Sequence, residues 1–143
     1  MSQAIYDTFS KNVTNIDFSE VVIQKMARKH PHMEWKVMDV LNMSDFPNDT
    51  FDIVVDKGAQ DAVLAEKMDS FSPPPRIVDR ALRMNLEVCR ILKPGGKYLQ
   101  ISFGQPHFRK VFFSNGQLDW AQVATHTVGD GFPYFLYILE KNS

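Results

Sequence analysis

The sequence predicts an α/β fold: a mainly parallel sheet with helices on both faces and an antiparallel hairpin at its C-terminal edge. Three observations carry this. Strand-like and helix-like segments alternate along most of the chain, which argues for βαβ units. Three of the strands end on an acid, Asp17, Asp39 and Asp56. Two strand candidates follow one another directly at the end, with no helical segment between them to make a parallel crossover.

Residues 12–17 (NVTNID) are rich in β-branched residues and form the first strand, and Ser19 stands where a helix N-cap belongs. In the helix that follows, Val22 and Met26, and Ile23 and Ala27, are spaced i,i+4 on one face. His30-Pro31 ends it, because a residue before proline avoids the helical region. Glu34 to Met38 alternates Trp35 and Val37 against charge as a second strand. PNDT at 47–50 is turn chemistry, and FDIVVD at 51–56 reads as a mostly buried strand of a parallel sheet. A short helical piece over 59–67 and a proline loop at Pro73-Pro74-Pro75 lead into a helix over 76–92, whose Ile77, Ala81, Met84, Val88 and Leu92 form an apolar stripe. Lys93-Pro94-Gly95-Gly96 closes that helix as a C-cap turn, since a phosphate cradle would need the reverse order of strand before helix. Strands are expected at 97–103, 118–126 and 132–140.

The chain of 143 residues fits one domain, so a single domain over 1–143 is expected. With 44% apolar and 23% charged residues it has the composition of a soluble globular protein, and no apolar run reaches the roughly 20 residues needed to cross a bilayer. Sixteen basic residues against seventeen acidic ones supply no basic surplus for a phosphate backbone, so no nucleic-acid partner is expected. A single cysteine, Cys89, fits a reducing compartment such as the cytosol and reads as a small core residue on a helix face. The N-terminal MSQAIYDTFSK carries neither secretory nor mitochondrial targeting character.

In open α/β sheets ligands lie outside the carboxyl ends of the strands, where the three acids fall. A carboxylate there can accept from both hydroxyls of a ribose, and Asp17 is the candidate. Asp39 can accept from an exocyclic adenine amino group, with Phe18 and Val40 as apolar contacts for the base. Asp56, with Lys57 and Gly58, would line the end where a cofactor's reactive group meets the substrate. Asp after a strand is also a common turn or cap residue, and that reading stands beside the functional one. His30, His32, His107 and His126 lack metal-ligand spacing and read as surface or packing residues, so no metal site is expected. Met26, Met33, Met38 and Met43 read as core filler, and the triple proline as a rigid loop before a helix.

In order, NVTNIDFSE, WKVMDV, FPNDTFDIVVDKGAQDAVL and EVCRILKPGGKYLQISF resemble the seven-strand, Rossmann-like class I methyltransferases of the methyltransferase-like group. DKG followed by DA at 56–62 is similar to the subgroup containing lysine methyltransferases that act on translation elongation factor 1-alpha, and PHFRK and GFPYFLYILEK extend the likeness to the tail. The resemblance implies S-adenosylmethionine as cofactor, Asp17 at its ribose, Asp39 with Val40 at its adenine, and Asp56 both at the cofactor and as the residue that positions or deprotonates an amine. The implied partner is a protein substrate, elongation factor 1-alpha. Alternatives are another protein substrate, such as a mitochondrial enzyme, and a catalytically inactive interaction module. The family's first strand and its glycine-rich loop are not matched, and Met1 falls inside what would be the first helix. The expected sheet therefore lacks the strand that lies between Asp17's and Asp56's.

Overall fold

The computed structural model describes residues 1–65 and 73–143. The chain divides into two compact units, Met1–Met43 and Ser44–Ser143.

The first unit is α1 (Ser2–Thr8), β1 (Thr14–Asp17), α2 (Glu20–Lys29) and β2 (Glu34–Val37). β1 and β2 pair in parallel, with Asp17 opposite Val37, so both strands end at the same edge. The crossover between them is α2, and it starts as the sequence predicts: the Ser19 hydroxyl accepts from Val22 N–H at 3.3 Å. Ser19→Ala is expected to cost about 1 kcal/mol of stability in urea titration, the usual value of such a cap. At the other end His30 is the C-cap, and its carbonyl accepts from Trp35 Nε1 at 3.0 Å. α2 buries Ile23, whereas Val22 is 42% exposed, so the inward stripe is rotated by about one position from the predicted one. Met33, Met38 and Met43 are buried as predicted, and Met26 is half-buried.

The second unit is β3 (Phe51–Lys57), α3 (Ala59–Val63), α4 (Pro75–Ile91), β4 (Leu92–Ser102), α5 (Pro106–Arg109), a 3₁₀ turn (Lys110–Phe112), β5 (Trp120–Val128) and β6 (Tyr134–Lys141). Its sheet has the order β3-β4-β6-β5. β3 and β4 are parallel; β4–β6 and β6–β5 are antiparallel, the last pair being the predicted hairpin. The strands thus fall into two sheets, and among the described residues β1 does not pair with β3.

β3 is an edge strand of its sheet, and Ile53 is 54% exposed, so the strand is less buried than its apolar sequence predicts. On β4 the alternation is strict from Tyr98 onward: Tyr98, Gln100 and Ser102 are buried on one face while Leu99 and Ile101 are half-buried on the other. α4 covers the sheet with Ile77, Ala81, Met84, Val88, Cys89 and Ile91, the predicted stripe with Cys89 among it. The C-cap of α4 is Leu92, not the glycine pair. Gly95 and Gly96 lie further on, inside an irregular stretch of β4 where the register with β3 shifts between Phe51 and Ile53. The helical piece expected over 59–67 is found as α3; residues 66 and 67 lie outside the described residues. No helix among the described residues is long and apolar enough to cross a membrane.

Candidate functional site

In the first unit Asp17 is the last residue of β1, opposite Val37, and Asp39 lies two residues beyond the end of the adjacent parallel strand β2. Each carboxylate shapes its own turn. Asp17 Oδ1 accepts from Ser19 N–H at 2.8 Å, which aims the chain into α2. Asp39 Oδ1 accepts from Leu41 N–H at 2.8 Å. The turn reading of these acids is therefore correct, and it does not displace the functional one, because in both cases Oδ2 is engaged by no described residue. Phe18 is 79% exposed and Val40 half-buried, so an aromatic ring and an aliphatic side chain flank the two free acceptors.

Asp56 sits in a different environment. It ends the second unit's parallel pair opposite Gln100, and it is only 5% exposed. Oδ1 accepts from Ala59 N–H at 2.6 Å. Oδ2 takes Gln60 N–H at 3.2 Å, Tyr98 OH at 2.9 Å and Gln100 Nε2 at 3.1 Å. The carboxylate is thus the anion at the N-terminus of α3, reached across Gly58, whose φ of +89° is the left-handed turn that glycine adopts without strain. Burial pushes the Asp56 carboxyl above its usual range despite these donors, and it pushes the Tyr98 hydroxyl well above 10.

Around Asp56 runs a polar network that the sequence does not reveal residue by residue. Gln60 Nε2 donates to Asn85 Oδ1 at 2.9 Å, and Asn85 Nδ2 donates to the Phe112 carbonyl at 2.9 Å. Gln100 Nε2 lies within 3.1 Å of Asp56 Oδ2, Gln60 Oε1 and Tyr98 OH; with two hydrogens it serves two of the three at a time. Beyond Gln100, Ser102 donates to Asp61 Oδ1 at 2.6 Å, and the buried Arg109 pairs with the same oxygen. The only sequence signal was Gln100 and Ser102 on the buried period of an otherwise apolar strand. Arg109 gave none, because α5 was not predicted. Among the described residues no cluster of His, Cys, Asp and Glu could hold a metal.

Residues 1–100 match the family described as "Methyltransferase domain", and the chain belongs to that family. The parallel strands, the crossover helices and the acids at the strand ends are what that assignment covers. At the level of particular relatives, the chain is 35% identical over 133 residues to EEF1A lysine methyltransferase 4 of Mus musculus, covering 91% of this chain and 51% of that protein. It is 38% identical over 132 residues to the eEF1A lysine and N-terminal methyltransferase of Mus musculus, covering 90% of this chain and 18% of that protein. The chain thus spans about half the length of the first relative and about a fifth of the second. The fold is shared with the N-methyltransferase NodS from Bradyrhizobium japonicum WM9 in complex with S-adenosyl-L-homocysteine, at a TM-score of 0.68 and 15% identity, over 94% of this chain and 68% of that one.

Proposed function

We propose that this chain takes part in S-adenosylmethionine-dependent methylation of a protein lysine, with translation elongation factor 1-alpha as substrate and the cytoplasm as its place of action. The observation that carries the reading is the pair of uncommitted carboxylate oxygens on Asp17 and Asp39, presented at the ends of adjacent parallel strands in a segment that matches a methyltransferase domain. The acceptors suit the cofactor: Asp17 Oδ2 can accept from ribose hydroxyls and Asp39 Oδ2 from an exocyclic amine, and Phe18 and Val40 offer apolar contact to the base. When bound, S-adenosylmethionine supplies a methyl group already activated by a sulfonium charge. The chain's residues are left to align the reactants and admit a neutral amine.

Asp56 keeps its place in this reading through what it holds. An acceptor already serving four donors sets the geometry of α3 and of Gln100. The names of the relatives, which are lysine methyltransferases of EEF1A, support the choice of substrate.

Calorimetric titration with S-adenosylmethionine tests the reading. Asp17→Ala is expected to weaken binding by about 1.5–3 kcal/mol, the worth of hydrogen bonds to a charged group, while His126→Ala has no comparable effect. Indistinguishable affinities for the two variants would remove Asp17 from the ribose. No binding to the unaltered chain would leave it an interaction module.

A further inference from the structure

A second acid of the 56–62 motif, Asp61 on α3, sits where the carboxyl ends of β3 and β4 meet, and its surroundings are built rather than incidental. Ser102, the last residue of β4, donates to Asp61 Oδ1, and the same hydroxyl accepts from Arg109 Nη2 at 2.7 Å and from Gly104 N–H at 2.8 Å. Arg109 reaches Asp61 Oδ1 from α5 with a guanidinium only 5% exposed. The turn is shaped for that guanidinium: a Cβ on Gly104 would lie 2.6 Å from Arg109 Nη2 and 2.8 Å from Nε, so any larger residue there displaces it. The Gly104 carbonyl is itself tied down by the Tyr137 hydroxyl.

One feature separates this pair from an ordinary structural ion pair. Arginine and carboxylate frequently join fork to fork, using both oxygens. Here Ser102 and Arg109 converge on Oδ1, and no described residue engages Oδ2, although the Asp61 side chain is 29% exposed.

We propose that Asp61 is the acceptor for the primary amine of the substrate, through Oδ2, and that Arg109 is the positioning residue that holds it in place with Ser102. The substrate class is a primary amine on a flexible alkyl chain, as on lysine. This deepens the methyl-transfer reading and rests on it.

The test is a binding measurement on the whole chain saturated with S-adenosylhomocysteine. Nα-acetyl-lysine methylamide is titrated in and followed by calorimetry in every variant, and also by the ¹⁵N resonance of the Arg109 side chain where that arginine is present, with Nα-acetyl-norleucine methylamide as the uncharged control. The lysine probe is expected to shift the Arg109 Nε signal to saturation and the norleucine probe to leave it unmoved. Asp61→Asn, which keeps the shape and the Oδ1 acceptor, is expected to weaken the lysine probe at least tenfold. Arg109→Met is expected to weaken it as much, and Arg109→Lys about half as much on a logarithmic scale, a graded rescue that a merely structural role would not give. S-adenosylhomocysteine affinity is expected to stay within twofold throughout. Equal lysine-probe affinity in Asp61→Asn, or in Arg109→Lys and Arg109→Met alike, with S-adenosylhomocysteine still bound, overturns the assignment alone. Failure of the unaltered chain to bind S-adenosylhomocysteine overturns the methyl-transfer reading and this inference together.

Discussion

Asp56→Ala is expected to lower the stability of the second unit by about 2–4 kcal/mol, measured by urea denaturation. The carboxylate serves two backbone N–H groups at the start of α3 and two fully buried side-chain donors, Tyr98 OH and Gln100 Nε2. Removing it leaves the buried Tyr98 hydroxyl without its acceptor at about 1–3 kcal/mol and takes the cap from α3 at about 1 kcal/mol more, while Gln100 Nε2 keeps Gln60 Oε1 and the Tyr98 oxygen as acceptors. The loss is partly offset, because alanine no longer carries a buried charge. That offset has a pH signature. Burial holds the folded-state carboxyl above its unfolded value of about 3.9, so the chain folds with a proton-binding advantage that is fully present below that pH. The advantage is lost as pH rises through the folded-state value. Asp56→Asn has no such titration, so the stability gap between it and the unaltered chain is expected to be widest in acid and to narrow toward neutrality. A gap that widens with pH would mean that the favourable hydrogen bonds, not burial, dominate Asp56.

The same residue shows how much the sequence discloses. That Asp56 lies at the end of a strand is legible from FDIVVD. Whether its oxygens are free is not legible, because that depends on Gln100 and Tyr98, forty residues away, and on a register shift at Gly95 and Gly96 that local propensity does not encode. Asp17 is the opposite case: Ser19 and the short strand before it are local signals, and the strand end and the cap are where they put them. The helical stripe of α4 was readable for the reason that periodicity usually works, since one face is packed over seventeen residues. In the ten-residue α2 the same reasoning placed Val22 inward, and the structure leaves it outward, because a stripe resting on two i,i+4 pairs tolerates a rotation of one position. Arg109 was invisible: a four-residue helix has no period to detect, and an arginine in a basic-looking PHFRK segment reads as surface until its partners on α3 and β4 are known.

Tyr137→Ala is expected to be at least as damaging as the loss of Asp56, at about 3–5 kcal/mol, the usual cost of deleting a buried ring. Tyr137 has no exposed surface, and its ring centroid lies 5.6 Å from that of Phe113, so β6 is packed against the segment that follows α5 through this contact. Its hydroxyl donates to the Gly104 carbonyl, on the turn whose N–H donates to Ser102. Tyr137→Phe separates the two contributions: it keeps the ring and leaves that carbonyl without its donor, for an expected cost of about 1 kcal/mol. If the turn around Gly104 is what fixes Arg109 beside Asp61, the phenylalanine variant should also bind the lysine probe several-fold more weakly while its affinity for S-adenosylhomocysteine is unchanged, since Asp17 and Asp39 belong to the other unit. Side-chain ¹⁵N spectra of Arg109 and urea titration read the two effects from one sample. A phenylalanine variant that loses stability as expected but binds the probe as tightly as the unaltered chain would show that the Tyr137 hydroxyl serves the fold alone, and that Ser102 suffices to hold the Asp61–Arg109 pair in its working geometry.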